Sequence, residues 1–181
     1  SNLKENLDKL SSEAEIAVRE GYKHLILSDK QLSENRAAIP MILAFGAVNS
    51  KLVNLGIRSF ASINIQTGET LDTHSFAVLL GIGATTINPY LAFDSIYQRY
   101  EKKLFSNLSY EECVQRYIKA VDNGLLKIMS KMGISVLSAY RGGCNFETVG
   151  LSRAVVAEYF PGMISRISGI GILGIEKKIK K

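Results

Sequence analysis

Short strand-like runs set between helical segments constrain this chain more than any other feature. HLILS (24–28) is an apolar run bounded by turn residues, the mark of a buried strand. RSFASINIQ (58–66) and GATTINP (83–89) read as two further strands. Helical spacing flanks them. Leu7, Leu10, Ala14 and Val18 recur on one helix face before a stop at Gly21. Pro40 fits the first turn of a helix whose inner face carries Ile42, Phe45, Val48, Leu52 and Leu55, with Gly56 as stop. Gly46, inside that helix, permits close packing against a neighbour. The alternation predicts an α/β fold of βα units around a mainly parallel sheet, open or partial-barrel-like. At 181 residues one domain with a real core is expected.

The second half continues the pattern. HSFAVLLG (74–81) predicts a short apolar helix, and LAFDSIYQRYEKKLF (91–105) another through Leu91, Ile96, Tyr100 and Leu104. Ser109 and Glu112 form a capping box for a helix burying Val114, Tyr117, Ile118 and Val121, which Gly124 interrupts. LLKIMSKM follows as a separate helical piece with Leu126, Met129 and Met132 as core, closed by Gly133. ISVLSAY (134–140) reads as a strand and SRAVVAEYF (152–160) as the final helix. The net charge of +5 is local, because the last six residues, EKKIKK, hold four lysines against one glutamate. The expectation is a frayed basic tail over 172–181.

Composition and motifs exclude several function classes. No basic face interleaved with aromatics suggests nucleic acid. No apolar run is long enough to span a membrane, and the expected compartment is the cytoplasm. Cys113 and Cys144 lack CxxC spacing and read as reduced thiols, while His24 and His74 lack nearby metal-ligand partners. There is no G-x-S-x-G elbow. GIGATT (81–86) runs from helix to strand, the reverse of a phosphate loop, and SGIGILG (168–174) shows no following helix. Glu111 and Glu112 suit a helix's first turn, where acidic groups favour the positive end of the dipole.

Several longer stretches carry more information. They are EAEIAVREGYKHLILSDK (13–30), IPMILAFGAV (39–48), SFAVLLGIGATTINPYLAFDSI (75–96), YIKAVDNGLLKIMSKMGIS (117–135), SAYRGG (138–143), FETVGLS (146–152) and SRISGIG (165–171). In this order they resemble the second half of the central domain of the glutamate synthase large chain. The resemblance implies a central-domain-like unit over 1–171, placed in the full enzyme between a glutamine amidotransferase domain and an FMN-binding synthase domain. Such enzymes make two glutamates from glutamine and 2-oxoglutarate, passing ammonia through an internal tunnel, with FMN and an iron–sulfur cluster as cofactors. Those cofactors and the amidotransferase cysteine belong to other regions. No catalytic, cofactor-binding or metal-binding residue is therefore expected here. The chain departs from the family pattern at Asn49, Ser50 and Lys51, at Ser75, and around Gly143, Cys144, Asn145, Thr148, Met163, Ile164 and Ser168.

Two functions follow as expectations. The chain is a structural, ammonia-channel module of glutamate synthase, partnered by separate amidotransferase and FMN-domain chains. Alternatively, it is a free-standing small-anion-binding protein or a degenerate remnant of that enzyme. Contacts to an anion or a neighbouring domain are expected at Lys131, Ser138, Tyr140, Arg141 and Arg166. Uncovered sheet edges in such a piece predict a homo-oligomer, most simply a two-fold dimer.

Overall fold

A computed structural model describes residues 2–34, 36–143 and 145–180. The chain order is α1 (Leu3–Arg19), β1 (His24–Ser28), α2 (Met41–Asn54), a 3-10 turn (Arg58–Phe60), β2 (Ser62–Gln66), α3 (Thr73–Gly81), β3 (Thr86–Asn88) and α4 (Tyr90–Glu101). Then come α5 (Tyr110–Lys131), α6 (Leu137–Tyr140), β4 (Glu147–Leu151), α7 (Arg153–Tyr159), β5 (Ile164–Ile170) and α8 (Ile172–Ile179). All pairing between these strands is parallel, in two open sheets, β1-β2-β3 and β4-β5. The expected α/β class with parallel βα units is what the chain adopts.

Local chemistry accounts for most element ends. Asn2 with Glu5, and Ser109 with Glu112, form reciprocal capping boxes that satisfy first-turn N–H groups of α1 and α5. The α2 and α5 helices stop before Gly56 and Gly133, whose φ of +71° and +72° lie in the left-handed region that L side chains avoid. Pro40 caps α2 with no side-chain hydrogen bond. The missing acceptor comes from a distant residue: the Met41 N–H donates to Glu69 Oε2 at 2.9 Å.

One main core joins α1, α2, β1, β2, α3 and α7; at its centre Leu7, Phe45, Val48, Leu52, Ile63 and Ile65 are each at most 1% exposed, with Leu27, Leu79 and Val156 bringing in β1, α3 and α7. At Gly46 the helices α2 and α7 meet so closely that a Cβ would lie 2.6 Å from the Tyr159 carbonyl oxygen and 2.7 Å from the Phe160 ring. The close packing expected of Gly46 is observed. A smaller cluster of Leu80, Met129 and Tyr140 links α3, α5 and α6.

Several local expectations fail. HLILS is not buried on both sides: Leu25 and Leu27 enter the core, while Ile26 is 68% exposed, because helices cover one sheet face. ISVLSAY is not a strand. Its last four residues form α6, because the Tyr140 ring turns inward and its hydroxyl donates to the Ala77 carbonyl at 3.0 Å. Gly124 does not break α5; the Thr73 side chain fills the space beside it, 2.5 Å from where a Cβ would stand. Glycine costs about 1 kcal/mol in a helix interior, and at this position it leaves room for that close approach. The helix after Pro89 ends at Glu101 rather than Phe105, where Lys103 and Ser106 take positive φ.

Core assignments fail on the outer faces of the helices. Leu126 and Met132 are exposed, as are Leu55, Leu91, Leu104 and Ile118. The expected frayed tail over 172–181 is not what the described residues 172–180 form. Over Ile172–Ile179 the segment is helix, with Ile172, Ile175 and Ile179 packed on the core and the Leu3 N–H donating to Glu176 at 3.3 Å. Thus α7 is not the last helix. SGIGILG does run from strand into helix, but Gly169 faces the Gly150 backbone and Gly174 packs on Ile170, so those two glycines serve packing.

Candidate functional site

Parallel sheets place loop residues of differing chemistry at their two ends. The carboxyl ends of β1, β2 and β3 carry Asp29, the 67–69 turn and Tyr90. There the Asp29 carboxylate accepts from Thr67 Oγ1 at 2.6 Å and from the Gly68 N–H at 3.1 Å. Thr67 is fully buried and accepts in turn from the Glu69 N–H at 3.1 Å. Ser28 Oγ donates to Gln66 Oε1 at 2.8 Å across the open sheet face. Lys30 Nζ stands 5.1 Å from the Tyr90 ring centroid, a cation–π contact.

Electrostatics at this end follow from burial. Desolvation, reinforced by the Asp29 charge, pushes the Glu69 carboxyl above its ordinary range, although the Met41 N–H pulls the other way. Burial also raises the Tyr90 phenol, helped by the Asp29 carboxylate. Beside these residues a cleft of about 1380 Å³ opens between α1, the 29–39 loop and α8. Its walls mix both signs of charge, including Lys9, Glu13, Asp29 and Glu176.

The amino ends of the same strands differ. A hollow of about 460 Å³ is lined by Lys23, His24, Arg58, Phe60, Thr85 and Arg141, among others, and by no carboxylate. Arg58 is held in place: Nε donates to Asn49 Oδ1 at 2.7 Å, Nη1 to the Ala61 carbonyl at 2.8 Å and Nη2 to the Gly83 carbonyl at 3.1 Å. Burial first, then the charge of Arg141, draws the Arg58 pKa below its ordinary value. The Arg141 Nε is buried without a hydrogen-bond partner.

The five residues expected to contact an anion or another domain are scattered. Lys131 is exposed in the last turn of α5, where a cation suits the helix dipole. Ser138 is exposed on α6, and Tyr140 is core, its phenol raised by burial. Arg166 on β5 is exposed and stands 3.5 Å from Glu147, a surface ion pair. Of these residues, only Arg141 lines the basic hollow. Sequence reasoning missed Lys23, His24 and Arg58 as partners for it, because no motif links residues that the β1, β2 and α6 segments bring together. Asp29 and the 67–69 turn were findable, since loops after parallel strands are where α/β folds place polar groups.

An iron–sulfur cluster takes three or four thiolates, and the sequence has two cysteines. Cys113 is buried in α5, and Cys144 lies outside the described residues. Among the described residues no group of three or more His, Cys, Asp or Glu side chains could hold a metal ion. In the glycine-rich segments, Gly81 stands against the Phe146 ring and Gly169 against the Gly150 backbone. No described helix is long and apolar enough to cross a membrane.

Relatives supply the remaining context. The large chain of NADPH glutamate synthase from Azospirillum brasilense is 56% identical over 177 residues, covering 98% of this chain and 12% of that protein. The corresponding large chain from Bacillus subtilis is 40% identical, covering 99% of this chain and 12% of that protein. The chloroplastic ferredoxin-dependent glutamate synthase of Spinacia oleracea is 41% identical over 93% of this chain and 11% of its own length. The chain thus spans about an eighth of the length of these relatives. Residues 1–152 match the family described as the glutamate synthase central domain, and the chain belongs to that family.

Proposed function

We propose that this chain is a structural connecting module of glutamate synthase, lining the ammonia route between the amidotransferase and FMN-binding domains and holding no catalytic residue of its own. The FMN and iron–sulfur chemistry of glutamate formation belongs, on this reading, to those other domains, and the compartment is the cytoplasm. The observation that carries it is the uncovered parallel sheets. Parallel sheets are ordinarily covered on both faces. Here Ile26 on β1, Val149 on β4 and Ile164 and Ile167 on β5 are each more than half exposed. Family membership supports the other domains of the enzyme as the surfaces that cover them.

The test pairs this chain with the amidotransferase and FMN-binding portions of a glutamate synthase, produced separately. Alone, the chain self-associates through its bare apolar faces; with its partner domains it forms a defined heterocomplex by light scattering. Ile167→Glu weakens that complex at least tenfold, roughly the 1.4 kcal/mol expected for losing a buried apolar contact. A chain that stays monomeric and binds neither portion overturns the proposal.

A further inference from the structure

The hollow at the amino ends of the strands goes beyond the module reading and stands without it. Its lining gathers Lys23, His24, Arg58 and Arg141 with the Ser59, Ser62 and Thr85 hydroxyls, and no acidic residue. Among the described residues no ion pair engages Lys23, Arg58 or Arg141. Two neighbouring guanidinium groups without a counter-charge repel one another, and a buried guanidinium donor without an acceptor carries a desolvation cost. Arg58 is fixed by three hydrogen bonds and cannot swing away. Arg141 keeps its Nε buried and unpartnered.

We infer that this hollow binds an oxyanion, of the phosphate or carboxylate class, between Arg141, Arg58 and Lys23. An anion there supplies the missing counter-charge for both arginines. The planar guanidinium fork suits carboxylate and phosphate oxygens alike. The volume of about 460 Å³ lies within the range of small-ligand sites and admits such an anion with water. The anion can come free from solution or as an acidic side chain of a neighbouring domain; the chemistry at the hollow is the same.

Titration of the 181-residue chain with inorganic phosphate and with succinate, against chloride at matched ionic strength, tests this. Backbone amide shifts at Lys23, His24, Arg58 and Arg141 should move saturably, and the Tm should rise. Arg141→Gln and, separately, Lys23→Gln should weaken binding about tenfold or more, the usual cost of a lost hydrogen bond to a charged group. Arg141→Gln should also hold or raise the Tm in anion-free buffer, since it removes repulsion; a merely structural arginine would lower it. Repeating the titration with the partner domains docked separates the sources: loss of phosphate binding identifies a neighbour's carboxylate in the hollow, and retained binding identifies a free anion. No saturable response to either probe, or binding unchanged in both variants, overturns the inference.

Discussion

The two ends of the β1-β2-β3 sheet hold similar amounts of polar chemistry and use it in opposite ways. At the carboxyl end, where α/β folds usually bind ligands, Asp29, Thr67, Gly68 and Glu69 consume one another's donors and acceptors and one N–H of α2. At the amino end Arg58 is satisfied by carbonyls, but Arg141 is left with a buried donor and no counter-charge. The residue types alone would rank the first end higher, with its two carboxylates, threonine and tyrosine. What separates the ends is satisfaction: one is closed by its own hydrogen bonds and the other is not.

That contrast breaks most visibly at Asp29. Asp29→Ala leaves the buried Thr67 hydroxyl and the Gly68 N–H without their acceptor, so it should cost about 2–4 kcal/mol in urea unfolding. A loss under about 0.5 kcal/mol, the range of ordinary surface changes, would mean that this end is not self-satisfied. Arg58→Met at the opposite end should cost less, about 1–3 kcal/mol. It strands Asn49 and two carbonyls but relieves the repulsion from Arg141.

The smallest effect sharpens the comparison through pH. Because burial raises the Glu69 pKa, the folded chain holds that proton more tightly than the unfolded one. Its contribution is therefore complete below the ordinary carboxylate range and fades as pH rises through the raised value. Glu69→Gln removes this dependence. The variant should gain on the parent as pH rises above the ordinary carboxylate range, by less than about 1 kcal/mol, since the group is half-exposed. A difference that stays flat across those pH values, measured by urea midpoints, would show that Glu69 keeps an unshifted pKa.

Features encoded within a few residues are legible in the sequence itself. The β1 strand, the Ser109–Glu112 capping box, the stops at Gly56 and Gly133 and the small Gly46 contact all rest on near neighbours or on one residue's size. What escaped depends on partners far along the chain. ISVLSAY has the composition of a strand, yet Tyr140 finds its hydrogen bond on α3 and folds the segment into a helical turn. The three isoleucines of α8 had helical spacing, but the lysines beside them suggested a tail. Exposure of Ile26 could not be read from HLILS, because it depends on which sheet face the helices cover. The basic hollow was legible only in part, through Arg141.

The contact at Gly46 has a consequence for how this family can exchange parts. The family match ends at residue 152, just before α7, yet α7 and its cap supply Val155, Val156, Tyr159 and Phe160 to the main core. The relatives align over 98–99% of the chain, so the descent they share takes in both sides of this contact. A seam placed at residue 152 between two relatives would separate Gly46 from the Tyr159 carbonyl and Phe160 ring that fit against it. Any graft made there would have to carry both sides of that contact as a matched pair.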